Sequence, residues 1–201
     1  MFIETHGIIL RSVKYSEADL MLTIITPDKG KISAIAKGAK SNKSKYRQSC
    51  EMLCHSQFTI SDTKGRHSIR KASVINSFFD LRRDIKQLAI ACYFAEVVSY
   101  ISDNQNEYNL YVHLLRSLHI LNSNKLSLIQ IKSVFELGTI RITGHAPNLT
   151  PCNCNGLYKY LSINQGKLLI YIRKGLLSIS IETYLFEIYI SSKYLSTFLI
   201  D

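Results

Sequence analysis

The chain has 201 residues, 46% of them hydrophobic, enough to bury a sizeable core without disulfide or metal staples. Its 25 Lys and Arg against 15 Asp and Glu give a formal charge of +10 and point to a polyanionic partner; the excess lies early, with 15 basic and 7 acidic side chains in residues 1–83 against 10 and 8 in residues 84–201. Met1 to Leu10 show no basic stretch ahead of an apolar one, no apolar run reaches the roughly 18 residues of a spanning helix, and the five cysteines are irregularly spaced. These features predict reduced thiols and a cytoplasmic, nucleoid-associated protein.

Five short, alternating, β-branched stretches come first: Thr5 to Lys14, Asp19 to Thr26, Lys31 to Lys37, Leu53 to Ser61 and Arg66 to Ile75. Pro27-Asp28-Lys29-Gly30 and Thr63-Lys64-Gly65 supply turns, and Gly38 to Met52 is the one long connection. This pattern fits a partly open barrel of the oligonucleotide-binding type, and equally a small sandwich or an SH3-like barrel. After Ser77 the period becomes helical. Leu81, Ile85, Leu88, Cys92 and Ala95 line one face and Ile90, Phe94, Val97, Val98 and Ile101 another, so the first helix is apolar nearly all round and is expected in the middle of a helical domain. A second helix carries Leu110, Leu114, Leu118 and Leu121; a third carries Leu128, Ile131, Phe135 and Ile142 and ends at Gly144 and Pro147. Beyond Pro147 a polar stretch holds Cys152 and Cys154, a hairpin is predicted from Tyr158 to Ile163 and Lys167 to Ile172, and Ser180 to Ile200 carries a helical stripe. The expected organisation is α+β: a barrel domain over 1–79, then a helical domain over 80–201 with a small hairpin inserted at about 145–175.

The densest chemical signal is the run from Lys29 to Arg47, which contains Lys29, Lys31, Lys37, Lys40, Lys43, Lys45 and Arg47 and neither Asp nor Glu. Cations two and three residues apart follow a phosphate backbone without reading sequence, each contact releasing counterions, and Tyr46 offers a stacking face for an unpaired base. Arg11, Lys31, Lys37, Lys40, Lys43, Lys45, Tyr46 and Arg47 form the expected DNA-binding set. A solvated basic loop without a partner is the plain alternative.

Gly7-Ile8-Ile9-Leu10-Arg11-Ser12, Tyr15-Ser16-Glu17-Ala18-Asp19, Thr26 through Gly30-Lys31 and Ala36-Lys37-Gly38-Ala39-Lys40 follow one another in an order and spacing that resembles the RecO family of bacterial recombination mediators. Phe135-Glu136-Leu137 and Gly144-His145-Ala146-Pro147-Asn148-Leu149 extend the resemblance, which covers most of residues 5–155. It implies an N-terminal five-stranded OB-fold β-barrel, a helical domain and a small zinc-finger-like insertion. It also implies binding of single- and double-stranded DNA, annealing of complementary strands, recombinase loading on strands covered by single-strand-binding protein, and RecR as a partner.

Zinc-bearing relatives carry two Cys-x-x-Cys pairs, whereas this chain has Cys152-Asn153-Cys154 and no later cysteine. Two thiolates one residue apart, even with His145, do not supply the four ligands of a closed tetrahedral site, so no metal cofactor is expected. The chain is also shorter than the resemblance implies. Cys50, Cys54 and His55 lie in or beside a strand and read as core rather than as ligands. His113 and His119 fall on different helix faces. Glu17 and Asp19 would share one side of a strand, as a metal-dependent nuclease requires, whereas the resemblance puts them in a turn. No G-x-x-x-x-G-K-[ST] loop occurs, which excludes a P-loop ATPase. The reading is therefore a non-enzymatic DNA repair and recombination mediator, with two rivals: a barrel binding RNA in translation, and the Glu17/Asp19 nuclease. Arg116, Lys132 and Arg141, set among Leu114, Leu118 and Phe135, form a candidate groove for the acidic C-terminal tail of single-strand-binding protein, a partner implied by the resemblance.

Overall fold

The computed structural model describes residues 2–41, 44–63, 65–102 and 107–145, together with the backbone of 159–162 and 167–170. Five strands come first: β1 (Phe2–Lys14), β2 (Leu20–Thr26), β3 (Gly30–Ala36), β4 (His55–Thr63) and β5 (Arg66–Asn76). They close into a barrel in the order β1-β2-β3-β5-β4, which settles the choice between barrel and sandwich. β1 reaches two neighbours because it is long and bent: Phe2 to Ile8 pair with β4 and Ile8 to Lys14 with β2, with a bulge between Ile9 and Arg11. A short parallel pairing, Ala34 with His67 and Ile35 with Ser68, joins β3 to β5 and closes the ring.

Alternation explains the core. Leu22 and Ile24, Ala34 and Ala36, and Phe58 and Ile60 lie two apart on their strands and form one buried cluster with Ile9 and Ile69. The adjacent pair Ile8 and Ile25, on the other face of β1 and β2, is buried as well, because helices pack there. Gly7 marks the tightest approach in this wall. An added Cβ would come within 2.6 Å of both Ile24 Cγ2 and the Ile25 carbonyl oxygen, so only glycine fits.

Helices α1 (Ile85–Ile101), α2 (Tyr108–Ser123) and α3 (Leu128–Ile142) follow. Asp84 starts α1, its side chain accepting from the Lys86 N–H. The expectation that α1 is buried all round is corrected: Gln87, Ala91, Phe94, Ala95 and Val98 form one buried stripe, while Ile85 is 76% and Tyr100 90% exposed. An apolar residue on a helix records tolerance for burial and does not force it. In α2 the predicted stripe of Leu110, Leu114, Leu118 and Leu121 is buried. α3 buries Ile131 and Phe135 and ends in a Schellman turn, with Gly144 N–H donating to the Arg141 carbonyl and His145 N–H to that of Ile140.

By its internal contacts the chain divides into two compact units, 1–128 and 129–201. The first therefore takes in α1 and α2 together with the barrel, although strands give way to helices near the expected boundary at 79. In the second unit β6 (Lys159–Ser162) and β7 (Lys167–Ile170) pair antiparallel, within the predicted hairpin. The stripe from Ser180 to Ile200 and the cysteines Cys152 and Cys154 lie outside the described residues.

Candidate nucleic-acid interface

The basic loop leaves β3 at Ala36 and returns through a 3-10 turn at Gln48–Cys50. Lys37, Lys40, Lys45 and Arg47 are exposed; Lys43 falls outside the described residues. None of the ion pairs among the described residues involves Lys37, Lys40 or Lys45. Tyr46 is half-buried, because it packs against the barrel's core cluster, so its ring is held by the fold. Arg11 is exposed on β1, just past the bulge.

Lys31 is engaged within the fold. Its Nζ donates to the Ser99 carbonyl at 2.9 Å, tying β3 to the last turn of α1, where a cation also meets the negative end of the helix dipole. Arg70, at the bulge of β5 against β4, is an exposed cation that the sequence reading did not single out. Arg70 Nε donates to Ser61 Oγ at 3.0 Å, which orients an otherwise exposed guanidinium. Arg66 and Lys71 are exposed on the same strand. Sequence alone masks these residues, because Asp62 and His67 break up the charge.

The loop is anchored by the turn between β1 and β2. Asp19 Oδ1 accepts from the Gly38 N–H at 2.8 Å, and the Lys40 N–H donates to the Ala18 carbonyl at 3.0 Å. The Gly38 hydrogen bond, followed by Ser16 and the nearby Lys37, lowers the Asp19 carboxyl below its ordinary range. Gly38 itself has φ of 67°, in the left-handed region that favours glycine. The nuclease alternative loses its geometry here: Glu17 and Asp19 sit in this turn and not on a strand, and Asp19 is engaged in holding the loop. Among the described residues no three His, Cys, Asp or Glu side chains gather to hold a metal ion.

Cys50 and Cys54 are fully buried, and burial pushes both thiols up, Cys50 to about 12. His55 belongs to a polar contact that sequence reasoning missed. Tyr111 Oη lies 2.9 Å from His55 Nε2 and 2.9 Å from His6 Nδ1, linking β4, β1 and α2. Burial, with His6 and His119 nearby, pulls His55 down to about 4, while burial, Tyr108 and Asp28 push the Tyr111 hydroxyl up to about 12. His113 and His119, on α2, are not brought together at a metal site among the described residues.

Leu114 and Leu118 in the first unit and Phe135 in the second are each buried. Arg116 is exposed in the first unit; in the second, Lys132 pairs with Glu136 at 2.9 Å and Arg141 is exposed in the last turn of α3. His145 is exposed after that turn, its Nδ1 3.3 Å from Thr143 Oγ1.

A closed barrel with this strand order, followed by helices, defines the chain as an OB-fold protein with an appended helical region. Two family models match it: Recombination protein O N terminal over residues 1–78 and Recombination protein O C terminal over residues 82–183. The chain belongs to the RecO family. It is 36% identical over 152 residues to the DNA repair protein RecO of Acetivibrio thermocellus, covering 75% of this chain and 61% of that one. For the DNA repair proteins RecO of Alkaliphilus metalliredigens and Clostridium perfringens the identities are 35% and 31%, covering 76% and 75% of this chain and 62% and 61% of theirs. The chain thus spans about three fifths of the length of these relatives. Among the described residues no helix is long and apolar enough to cross a membrane.

Proposed function

We propose that this chain is a non-enzymatic DNA repair and recombination mediator that binds single- and double-stranded DNA on the barrel's basic rim and anneals complementary strands. The observation that carries this reading is the exposed group of Lys37, Lys40 and Lys45, without an ion pair among the described residues, at the edge of an oligonucleotide-binding barrel. Arg11 is exposed on the same barrel, and the loop's sequence adds Lys43 and Arg47. Two strands repel through their phosphates; a surface that screens both and leaves base edges free lowers the barrier to their encounter, with no covalent bond made or broken. Family membership supports assistance in loading recombinase onto strands covered by single-strand-binding protein, with RecR and that protein's acidic tail as partners, and a place at the nucleoid in the cytoplasm. Arg116, Lys132 and Arg141 remain the cations to offer the tail, through charge rather than through the buried leucines. The chain works without zinc, since Cys152 and Cys154 provide only two thiolates at unsuitable spacing.

Annealing of complementary oligonucleotides, bare and covered with single-strand-binding protein, tests the reading. Acceleration in both settings is expected. Loss of the labelled strand in magnesium would turn the reading toward a nuclease, and tighter binding of RNA than of DNA at equal salt would turn it toward translation.

A further inference from the structure

A cleft of about 320 Å³ lies at the root of the basic loop, lined by Lys37, Gly38, Ser41, Ser44, Lys45 and Tyr46. That size sits at the low end of small-ligand sites, about 300–1,000 Å³, and suits one nucleotide better than a length of strand. Backbone hydrogen bonds brace its wall: Ser41 N–H donates to the Gly38 carbonyl, Ser44 N–H to that of Ser41, and Arg47 N–H to that of Ser44. Ser41 and Ser44 both line the cleft. The cleft is thus lined by two lysines, two serines and an aromatic ring packed against the core.

We propose that this cleft holds a terminal nucleotide carrying a phosphate monoester, with Lys37, Lys45 and Ser44 on the phosphate and Tyr46 beside the base. An internal phosphodiester brings a single negative charge, whereas a monoester brings about 1.5 to 2 at neutral pH and three acceptor oxygens. Two lysines and a serine in one small cleft match the monoester. Asp19, held on the Gly38 amide, offsets part of the Lys37 charge, and Lys40 and Arg47 on the same loop restore it. The inference rests on the reading that this rim binds DNA. It adds that the rim distinguishes a phosphorylated end from the strand's interior, with a free mononucleotide as the other source of the same chemistry.

The test uses the full chain and fluorescent 12-nucleotide thymidine strands with a 5′-phosphate, a 3′-phosphate or two hydroxyl ends, read by anisotropy at one salt concentration. At least one phosphorylated strand is expected to bind about three- to tenfold tighter than the hydroxyl-ended strand, the scale of one additional exposed ionic contact or two. Ser44→Ala should erase that ratio and Ser44→Thr keep it, a readout that a change in folding alone would not produce. Thymidine monophosphate displacing the hydroxyl-ended strand where thymidine does not, without any preference between strand ends, would assign the cleft to the free nucleotide. Equal affinity for all three strands, with no such displacement, overturns the proposal while leaving DNA binding standing. Failure of every strand to bind would overturn the reading beneath it as well.

Discussion

Changing Tyr111 to Phe removes one oxygen and leaves the ring. That oxygen is 2.9 Å from His55 Nε2 on the buried side and 2.9 Å from His6 Nδ1 on the exposed side. A hydroxyl has a single proton, so it donates to one imidazole at most and accepts from the other. Without it, water can reach His6 but the buried His55 nitrogen loses this partner, at a cost of about 1–3 kcal/mol. With a urea m-value of about 2 kcal/mol/M, the midpoint should fall by about 0.5–1.5 M and m should not change. His6→Ala, which empties only the exposed side, should cost less than about 1 kcal/mol. Urea titrations of the three proteins at pH 7.5 decide the matter: a Phe variant as stable as the parent, or a His6 variant as costly as the Tyr111 one, would refute the buried bond as the source of stability. The same site predicts a pH dependence. His55 is held neutral down to about pH 4, so the unfolded chain takes up a proton near its ordinary value of about 6.5 that the folded chain refuses. The stability from this group is complete above about pH 6.5 and drains as the pH falls toward 4, by about 1–2 kcal/mol after allowance for partial solvation.

Asp19→Ala should release the start of the basic loop and speed tryptic cleavage after Lys37 and Lys40, while Asp19→Asn, which keeps an acceptor for the Gly38 N–H, should cleave close to the parent rate; equal rates for all three would remove Asp19 as the anchor. Lys31→Ala should cost about 1 kcal/mol of stability through loss of its bond to the Ser99 carbonyl. It should leave the salt dependence of DNA affinity unchanged, and a shallower dependence would return Lys31 to the DNA surface. Elemental analysis of purified protein should find far less than one zinc per chain, whereas stoichiometric zinc surviving chelation would mean that ligands beyond Cys152, Cys154 and His145 complete a site.

The barrel was legible because its signals are local. Alternation along Leu20–Thr26 and His55–Thr63, with the Pro27 to Gly30 turn, specifies strands whatever surrounds them. Ring closure was not, since it depends on two parallel residue pairs, Ala34 with His67 and Ile35 with Ser68, that no local pattern announces. The site divides in the same way. Lys37 to Arg47 stood out as an unbroken run of one sign. Lys31 looked identical to its neighbours, and only a carbonyl 68 residues away sets it apart. Arg70 was passed over because it stands among residues of mixed charge. The all-round apolar first helix misled because composition states which residues tolerate burial, and the neighbours decide which are buried.

Affinity for a single strand as a function of salt, compared between the parent chain and one carrying Lys40→Ala, Lys43→Ala, Lys45→Ala and Arg47→Ala together, bears directly on the loop as the DNA surface. Each phosphate contact adds about 0.7 to the slope of log affinity against log salt on a single strand and about 0.9 on a duplex, so loss of four contacts should flatten the slope by about 3 and weaken binding. A parent-like slope in a variant that folds as the parent does would contradict the loop as the binding surface and move the contact to another face of the barrel.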